Sequence, residues 1–262
     1  MNKPVYDSIG KKYNANRQAD PRIVKKIVEF LNLPEGSCIA DIGAGTGNYS
    51  NALADLGYGV IAIEPSVVMR SQAKPHKKVR WLEGVSESIP LKDNSVNGII
   101  AILCVHHFTS VGKASGEFRR ICPGGPVVVL TYDPRQGKDF WFNGYFPGIY
   151  KNEHEKFPPV TEVAALLAGN EWKIELNDFP LPHDLLDKNM HSGWNQPETY
   201  FDEQMRLNTS GFAQASKEEV EQGLARLKND LNTGIWDARY GHLRKQAELH
   251  TGFVFLKLTS KN

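Results

Sequence analysis

Apolar residues along this 262-residue chain change their spacing several times, and each change marks an element. The first clear element follows Asp20-Pro21. There Ile23, Ile27 and Phe30, with Val24, Val28 and Leu31 beside them, recur at helical spacing. Asp20 suits the N-cap and Pro21 the first turn, and Pro34-Glu35-Gly36-Ser37 ends the helix. Short, nearly unbroken apolar runs then come at regular intervals: Cys38–Ile42, Val60–Ile63, Val79–Leu82, Val96–Val105 and Val127–Thr131. Segments of helical character lie among them, at Asn48–Leu56, Val67–Ala73 and Ala114–Ile121. Apolar strands alternating with helices predict a parallel, doubly wound α/β sheet covered on both faces.

The second half of the chain reads differently. Asp139–Tyr150 is crowded with Phe140, Trp141, Phe142, Tyr145, Phe146 and Tyr150. Thr161–Gly169 predicts a helix with an alanine- and leucine-rich face, and Trp172–Phe179 a sixth strand. Leu181–Gly211 has weak periodicity. Ser216–Leu231 predicts a helix, opened by Ser216 with Glu219 three residues on, the pattern of a capping box. Phe253–Leu258 is the last predicted strand. We therefore divide the chain into N-terminal helices with a ligand-binding core (1–133), a helical, aromatic-rich cap plus the sixth strand (134–248), and a final strand completing the core sheet (249–262).

Composition narrows the picture. Hydrophobic residues make up 40% and charged residues 23%, enough to bury a core. The net charge of +1 is spread over mixed signs and gives no electrostatic case for a nucleic-acid partner. Met1–Asp7 shows no secretory signal, and no apolar run approaches a membrane span. Cys38, Cys104 and Cys122 are widely spaced in or beside apolar segments, which fits buried free thiols and no metal site. The expectation is a cytoplasmic protein, monomer or homodimer, with no membrane partner.

Candidate chemistry centres on Asp41-Ile42-Gly43-Ala44-Gly45-Thr46-Gly47, between the first strand and the next helix. Glycines there tolerate positive φ and let a ligand approach the main chain. A dinucleotide fingerprint needs its third glycine three positions after the second, where this chain has Asn48. No Gly-Lys-Ser/Thr follows, which excludes a P-loop. Asp41 would also place negative charge beside a phosphate, whereas a ligand carrying an amino group suits it.

These residues resemble the class I S-adenosylmethionine-dependent methyltransferases, most closely the small-molecule group that includes ubiquinone-type enzymes. The resemblance rests on an ordered series: Asp41–Gly47, Glu64-Pro65-Ser66 with Met69, Gly84–Pro90, Asp93–Val96, His106-His107-Phe108, and Arg119-Arg120 before Pro123-Gly124-Gly125. It covers roughly the first half of the chain. It implies a three-layer Rossmann-like sheet of seven strands, the last antiparallel, with S-adenosylmethionine as cofactor in the core of residues 1–133. It implies that Glu64 accepts the ribose hydroxyls, that Asp41 attracts the methionine ammonium, and that Gly43, Ala44, Gly45 and Gly47 let that part lie close. The helix start at Asn48 and Arg17 would meet its carboxylate. Val85, Ser86 and Glu87 would flank the adenine, and Pro65, Ser66, Met69 and Cys104 would complete the nucleoside's surroundings. Tyr13 would cover the methyl group. One departure is Asn97, where the family often has aspartate at the strand entrance.

The implied reaction is transfer of a methyl group to a small organic acceptor in specialised metabolism. His107 and His106, past the fourth strand, are base candidates with ordinary imidazole pKa values near neutrality. Asp133, with Tyr132, is another. The aromatic cluster at Phe140–Tyr150 points to an apolar or aromatic acceptor, or packs the cap itself. An alternative function is a non-catalytic module that binds S-adenosylmethionine or S-adenosylhomocysteine and acts as a regulator. The sequence predicts micromolar binding of S-adenosylmethionine, abolished in Gly45→Val by a side chain in the cofactor's space. Calorimetry with no heat from that ligand, and tight binding of a nicotinamide dinucleotide instead, would refute the reading.

Overall fold

Alternation along single strands decides the layers of this fold. Successive strand residues point to opposite faces. Accordingly Ile39, Ile100, Val128 and Leu130 join one buried cluster, while Ala40, Ile99, Ala101, Val127 and Val129 join another. The computed structural model describes residues 17–207 and 209–261. Among these, the main sheet contains β1 (Cys38–Ile42), β2 (Gly59–Ile63), β3 (Val79–Leu82), β4 (Gly98–Ile102), β5 (Val127–Tyr132) and β6 (Trp172–Asp178). Its last strand is β9 (Phe253–Ser260), after a two-stranded ribbon of β7 (Leu181–Pro182) and β8 (Glu248–Leu249).

The order across the seven-stranded sheet is β3-β2-β1-β4-β5-β9-β6. Neighbours from β3 to β5 are parallel, and β9 runs antiparallel to both β5 and β6. The expected α/β sheet with an antiparallel last strand is therefore present. The helices, in chain order, are α1 (Pro21–Leu31), α2 (Asn48–Asp55), α3 (Val67–Ser71), α4 (Val111–Ile121), α5 (Phe142–Tyr145), α6 (Pro147–Lys156), α7 (Val160–Ala168), α8 (Glu203–Leu207), α9 (Ser210–Gln214), α10 (Lys217–Asn232) and α11 (Ile235–Tyr240).

Local chemistry explains most boundaries. The side chain of Asp20 accepts from the Arg22 N–H at 2.9 Å, capping α1 as its sequence predicts. At α10, Ser216 Oγ accepts from the Glu219 N–H at 3.1 Å, but Glu219 does not close the box. Its carboxylate instead accepts from the Ile149 N–H at 2.9 Å and ties α10 to α6. The Asn97 departure is absorbed locally. Its side-chain carbonyl accepts from the Cys38 N–H at 2.7 Å, a bond for which aspartate offers the same oxygen.

Two expectations need correction. The run Val96–Val105 is not one strand: β4 stops at Ile102, Leu103 adopts φ 53°, and Val105–His107 form a 3₁₀ turn. Burial continues past the strand end, so an apolar run cannot mark where the strand stops. The aromatic stretch Phe140–Tyr150 also holds two helices, α5 and α6, that its periodicity hides. Their residues join helices of the 179–252 segment in the same buried cluster that lines one face of the sheet. Trp141 meets Trp236 edge to face at 5.4 Å and donates its indole N–H to the Trp194 carbonyl at 2.7 Å.

The hinge between β5 and β9 generates a stability prediction. The Gly252 carbonyl accepts from the Asp133 N–H at 2.9 Å, and Gly252 has φ +99°. A Cβ there would lie 2.3 Å from the Asp133 carbonyl oxygen, a backbone atom with no freedom to swing away. We expect Gly252→Ala to cost about 2 kcal/mol or more in urea denaturation. A midpoint equal to that of the unsubstituted protein would contradict this placement.

Candidate functional site

The strand order creates a crevice before any side chain is considered. From β1 the chain winds outward through β2 and β3, then returns to β4 on the other side of β1. Connections leave β1 and β4 in opposite directions, and open α/β sheets bind ligands at such a point, outside the carboxyl ends of the strands. The glycine-rich turn lies there. Gly43, Gly45 and Gly47 have φ of 69°, 59° and 79°. A Cβ on Gly43 would lie 2.7 Å from Cys104 Cβ, so the turn and the end of β4 touch through bare backbone. The Gly43 and Ala44 N–H groups donate to the Ile63 carbonyl at 2.8 and 3.1 Å, which fixes the turn against β2.

Glu64 follows β2 and closes this frame. One carboxylate oxygen accepts from the Gly45 N–H at 3.0 Å and the other from the Ser66 N–H at 2.9 Å. Ser66 Oγ in turn accepts from the Met69 N–H at 3.2 Å and starts α3. Arg70 reaches back to the Glu64 and Pro65 carbonyls. The acid is thus buried, anchored from beneath and aimed at the crevice.

The cavity occupies about 360 Å³, within the usual range for small-molecule pockets. Of the residues singled out from sequence, Arg17, Gly43, Ala44, Gly45, Asn48, Glu64, Pro65, Met69, Val85, Ser86, Glu87, Cys104 and His107 line it. Asp41, Gly47, Ser66, His106 and Asp133 do not. Asp41 lies behind the turn, where it accepts from Ser50 Oγ at 2.5 Å. A Cβ on Gly47 would fall 2.5 Å from the Trp81 ring, so this glycine serves packing. Asp133 is a bracket: one oxygen takes the Arg135 N–H and guanidinium, the other the Val160 N–H at 3.0 Å. His106 stacks on Phe157 with ring centres 4.1 Å apart. Tyr13 lies outside the described residues. None of the aromatics from Phe140 to Tyr150 lines the cavity, and most are buried within the cap.

Sequence reasoning missed several lining residues, among them Thr46, Tyr49, Leu103, Phe108, Thr109 and Asp187. Asp187 matters most. It comes from the stretch without periodicity, pairs with Arg17 Nε at 2.5 Å and accepts from the Tyr49 hydroxyl at 2.8 Å. Nothing in its neighbours' spacing announces it. Leu103 is equally silent in sequence, yet it lines the cavity with a positive φ, a conformation that costs energy for a non-glycine residue.

Burial sets the charges. Burial pushes the Asp41 carboxyl up to about 7, only partly offset by the Ser50 hydrogen bond, and the nearby Glu64 charge adds to the rise. Burial, with the Lys156 charge nearby, brings His107 down to about 4, so its imidazole is neutral at pH 7. Burial and the neighbouring His107 hold His106 well below the ordinary range. For Glu87 burial acts upward, but hydrogen bonds from the Ser110 N–H at 2.9 Å, Ser86 and Thr109 outweigh it and keep the carboxyl low. Among the described residues no cluster of three potential metal ligands occurs, and no helix is long and apolar enough to cross a membrane.

Comparisons with known proteins agree with this geometry. Residues 40–129 match the family described as methyltransferase domain. A solved structure from Anabaena variabilis, provisionally named as a methyltransferase from an antibiotic biosynthesis pathway, superposes with a TM-score of 0.90. It is 43% identical, and the match covers 93% of this chain and 99% of that one. The malonyl-[acyl-carrier protein] O-methyltransferase of Pectobacterium atrosepticum is 32% identical over 41% of this chain, a match that spans only 43% of that relative's length. The [4+2]-cyclase SpnF shares the fold, with a TM-score of 0.62 at 17% identity over 97% of this chain and 93% of that one.

Asp41 gives a signed prediction. An acid raised in the folded state stabilises fully below its unfolded pKa, near 4, and that contribution is lost as pH rises through about 7. Asp41→Asn keeps an acceptor for Ser50 and removes the titration. In urea denaturation at pH 5 and pH 8 the variant should gain stability relative to the parent at the higher pH, on the order of 2 kcal/mol. A pH-independent difference would contradict the assignment.

Proposed function

The chain belongs to the class I S-adenosylmethionine-dependent methyltransferases, and from that premise we propose that its cavity holds S-adenosylmethionine and passes the methyl group to a small organic acceptor in specialised metabolism. The observation that carries the cofactor assignment is Glu64. Its carboxylate faces the cavity, held in place by backbone N–H donors at 2.9 and 3.0 Å. Two hydroxyls on adjacent ribose carbons can donate to one such carboxylate.

The opposite wall supports the amino-acid end of the same ligand. Arg17 and Asp187 present opposite charges side by side. A zwitterion matches that pair, carboxylate toward the guanidinium and ammonium toward the acid. Asp187 thus takes the direct role expected of Asp41, which acts from behind the turn. Pro65, Met69 and Val85 offer apolar surface, and Ser86 and Glu87 polar groups, for the adenine.

S-adenosylmethionine supplies a methyl group on a positively charged sulfur. The protein's task is then to align an incoming nucleophile and to exclude water. His107 lies on the cavity wall with a neutral imidazole, which leaves it able to accept a proton or a hydrogen bond from the acceptor. The small-molecule acceptor and its place in specialised metabolism rest on the naming of the Anabaena variabilis relative, which matches over nearly its whole length.

Glu64→Ala should weaken S-adenosylmethionine about 30-fold, the loss of roughly 2 kcal/mol from hydrogen bonds to a charged group. Isothermal calorimetry reads this directly, with circular dichroism to check the fold. Unchanged affinity would place the ribose elsewhere.

A further inference from the structure

The seven-stranded sheet ends in two unlike edges, β3 on one side and β6 on the other. An open edge offers unpaired N–H and C=O groups to another chain, and proteins guard against this with short strands and charge. β3 is guarded: it has four residues, with Lys77 and Lys78 before it and Arg80 within it. β6 has no such guard. It runs for seven residues without proline or glycine, and its charges are of mixed sign.

The unpaired main-chain groups of β6 can be assigned. The Phe253 carbonyl accepts from the Phe179 N–H at 2.9 Å, and the Glu171 carbonyl accepts from the Lys261 N–H at 3.1 Å. Main-chain direction alternates along an antiparallel ladder, so the odd-numbered residues between these two bonds face β9. Trp172, Ile174, Leu176 and Asp178 therefore turn their N–H and C=O groups outward. Among the described residues no strand or backbone bond takes these groups up.

The side chains of this edge complement themselves. When a second copy lies antiparallel with Ile174 opposite its counterpart, Lys173 stands opposite the other copy's Glu175, and Glu175 opposite its Lys173. The outward residues Trp172, Ile174 and Leu176 then bond main chain to main chain. That leaves Lys173 and Glu175 in the close, non-hydrogen-bonded positions where cross-strand side chains interact most. Moving the centre by one residue brings like charges together, Lys173 on Lys173 or Glu175 on Glu175. Centring on Leu176 loses both ion pairs. Centring on Trp172 pairs only Trp172–Ile174 of the strand and leaves Leu176 uncovered. Within one chain Lys173 Nζ is 3.6 Å from Glu175 Oε1, and Lys257 Nζ is 3.8 Å from Glu175 Oε2. Both exceed hydrogen-bond length, so both charges can take a nearer partner.

Apolar surface adds to this. Trp172 and Ile174 pack on the face that carries Val163 and Leu167 of α7, and Leu176 points to the same face. Leu176 is 47% exposed, and Leu166 on α7 is 46% exposed.

We propose that β6 is a homodimer interface, through which two copies pair edge to edge about Ile174 into one continuous sheet. The proposal is independent of what the cavity binds.

Sedimentation velocity on the whole protein tests it, with circular dichroism as the check on folding. The parent should sediment as a dimer. Lys173→Glu and Glu175→Lys each turn both ion pairs into like-charge contacts and should weaken dimerisation about tenfold or more. Mixed together, the two variants again face each other with opposite charges, so the mixture should form a heterodimer close to the parent's strength. Ile174→Pro removes an outward N–H and no bond to β9, and should sediment as a monomer with its fold intact. Should a charge variant misfold, Ile174→Pro decides alone. A monomeric parent overturns the proposal. So does a dimer unmoved by these substitutions, or charge variants that fail to pair when mixed.

Discussion

The close approach of the Gly43–Gly47 turn to the ends of two other strands governs this molecule. With no side chain at Gly43, Cys104 can stand against the main chain, and its Sγ bonds the Ile42 carbonyl at 3.0 Å. With Gly45 exposing its N–H, Glu64 is fixed at the end of β2. Those contacts join β1, β2 and β4 at their carboxyl ends, with the glycine turn on the wall of the cavity. A ligand there meets dipoles that need no rearrangement, which is the condition for aligning reacting groups at low cost.

Charge follows from the same packing. Asp41 is sealed behind the turn and titrates near neutrality, whereas Glu64 faces the cavity with two backbone donors. Asp187, carried in by the cap, meets Arg17 across the opening. The segment after β6 therefore contributes a wall to the cavity that we propose holds the cofactor. The shared fold of a [4+2]-cyclase underlines that the sheet alone does not choose the chemistry. The choice lies in what the cap places over the crevice.

How much of this was legible in the sequence differs by region. The inner strands could be read because burial on both faces writes a nearly unbroken apolar run, and the edge strand β6 because its apolar and polar residues alternate. That the glycine turn, Glu64 and Val85–Glu87 meet at one cavity could be read because a close backbone approach imposes residue types at fixed spacing. Asp187 and Leu103 could not. They lie in irregular segments where tertiary contacts, and no local period, set each side chain's place. Asp41 and Asp133 show the converse: acids beside strand ends look alike in sequence, yet a Ser50 hydroxyl and an Arg135 guanidinium turn them inward to structural roles.

The central claim is that the crevice is an S-adenosyl site defined by Glu64 at one end and the Arg17–Asp187 pair at the other. A crystal structure of the protein grown with S-adenosylhomocysteine tests it most directly. The account predicts ribose hydroxyls on the Glu64 carboxylate, the adenine beside Val85–Glu87, and the amino-acid end between Arg17 and Asp187. A ligand bound elsewhere, or with its ribose turned away from Glu64, would contradict it.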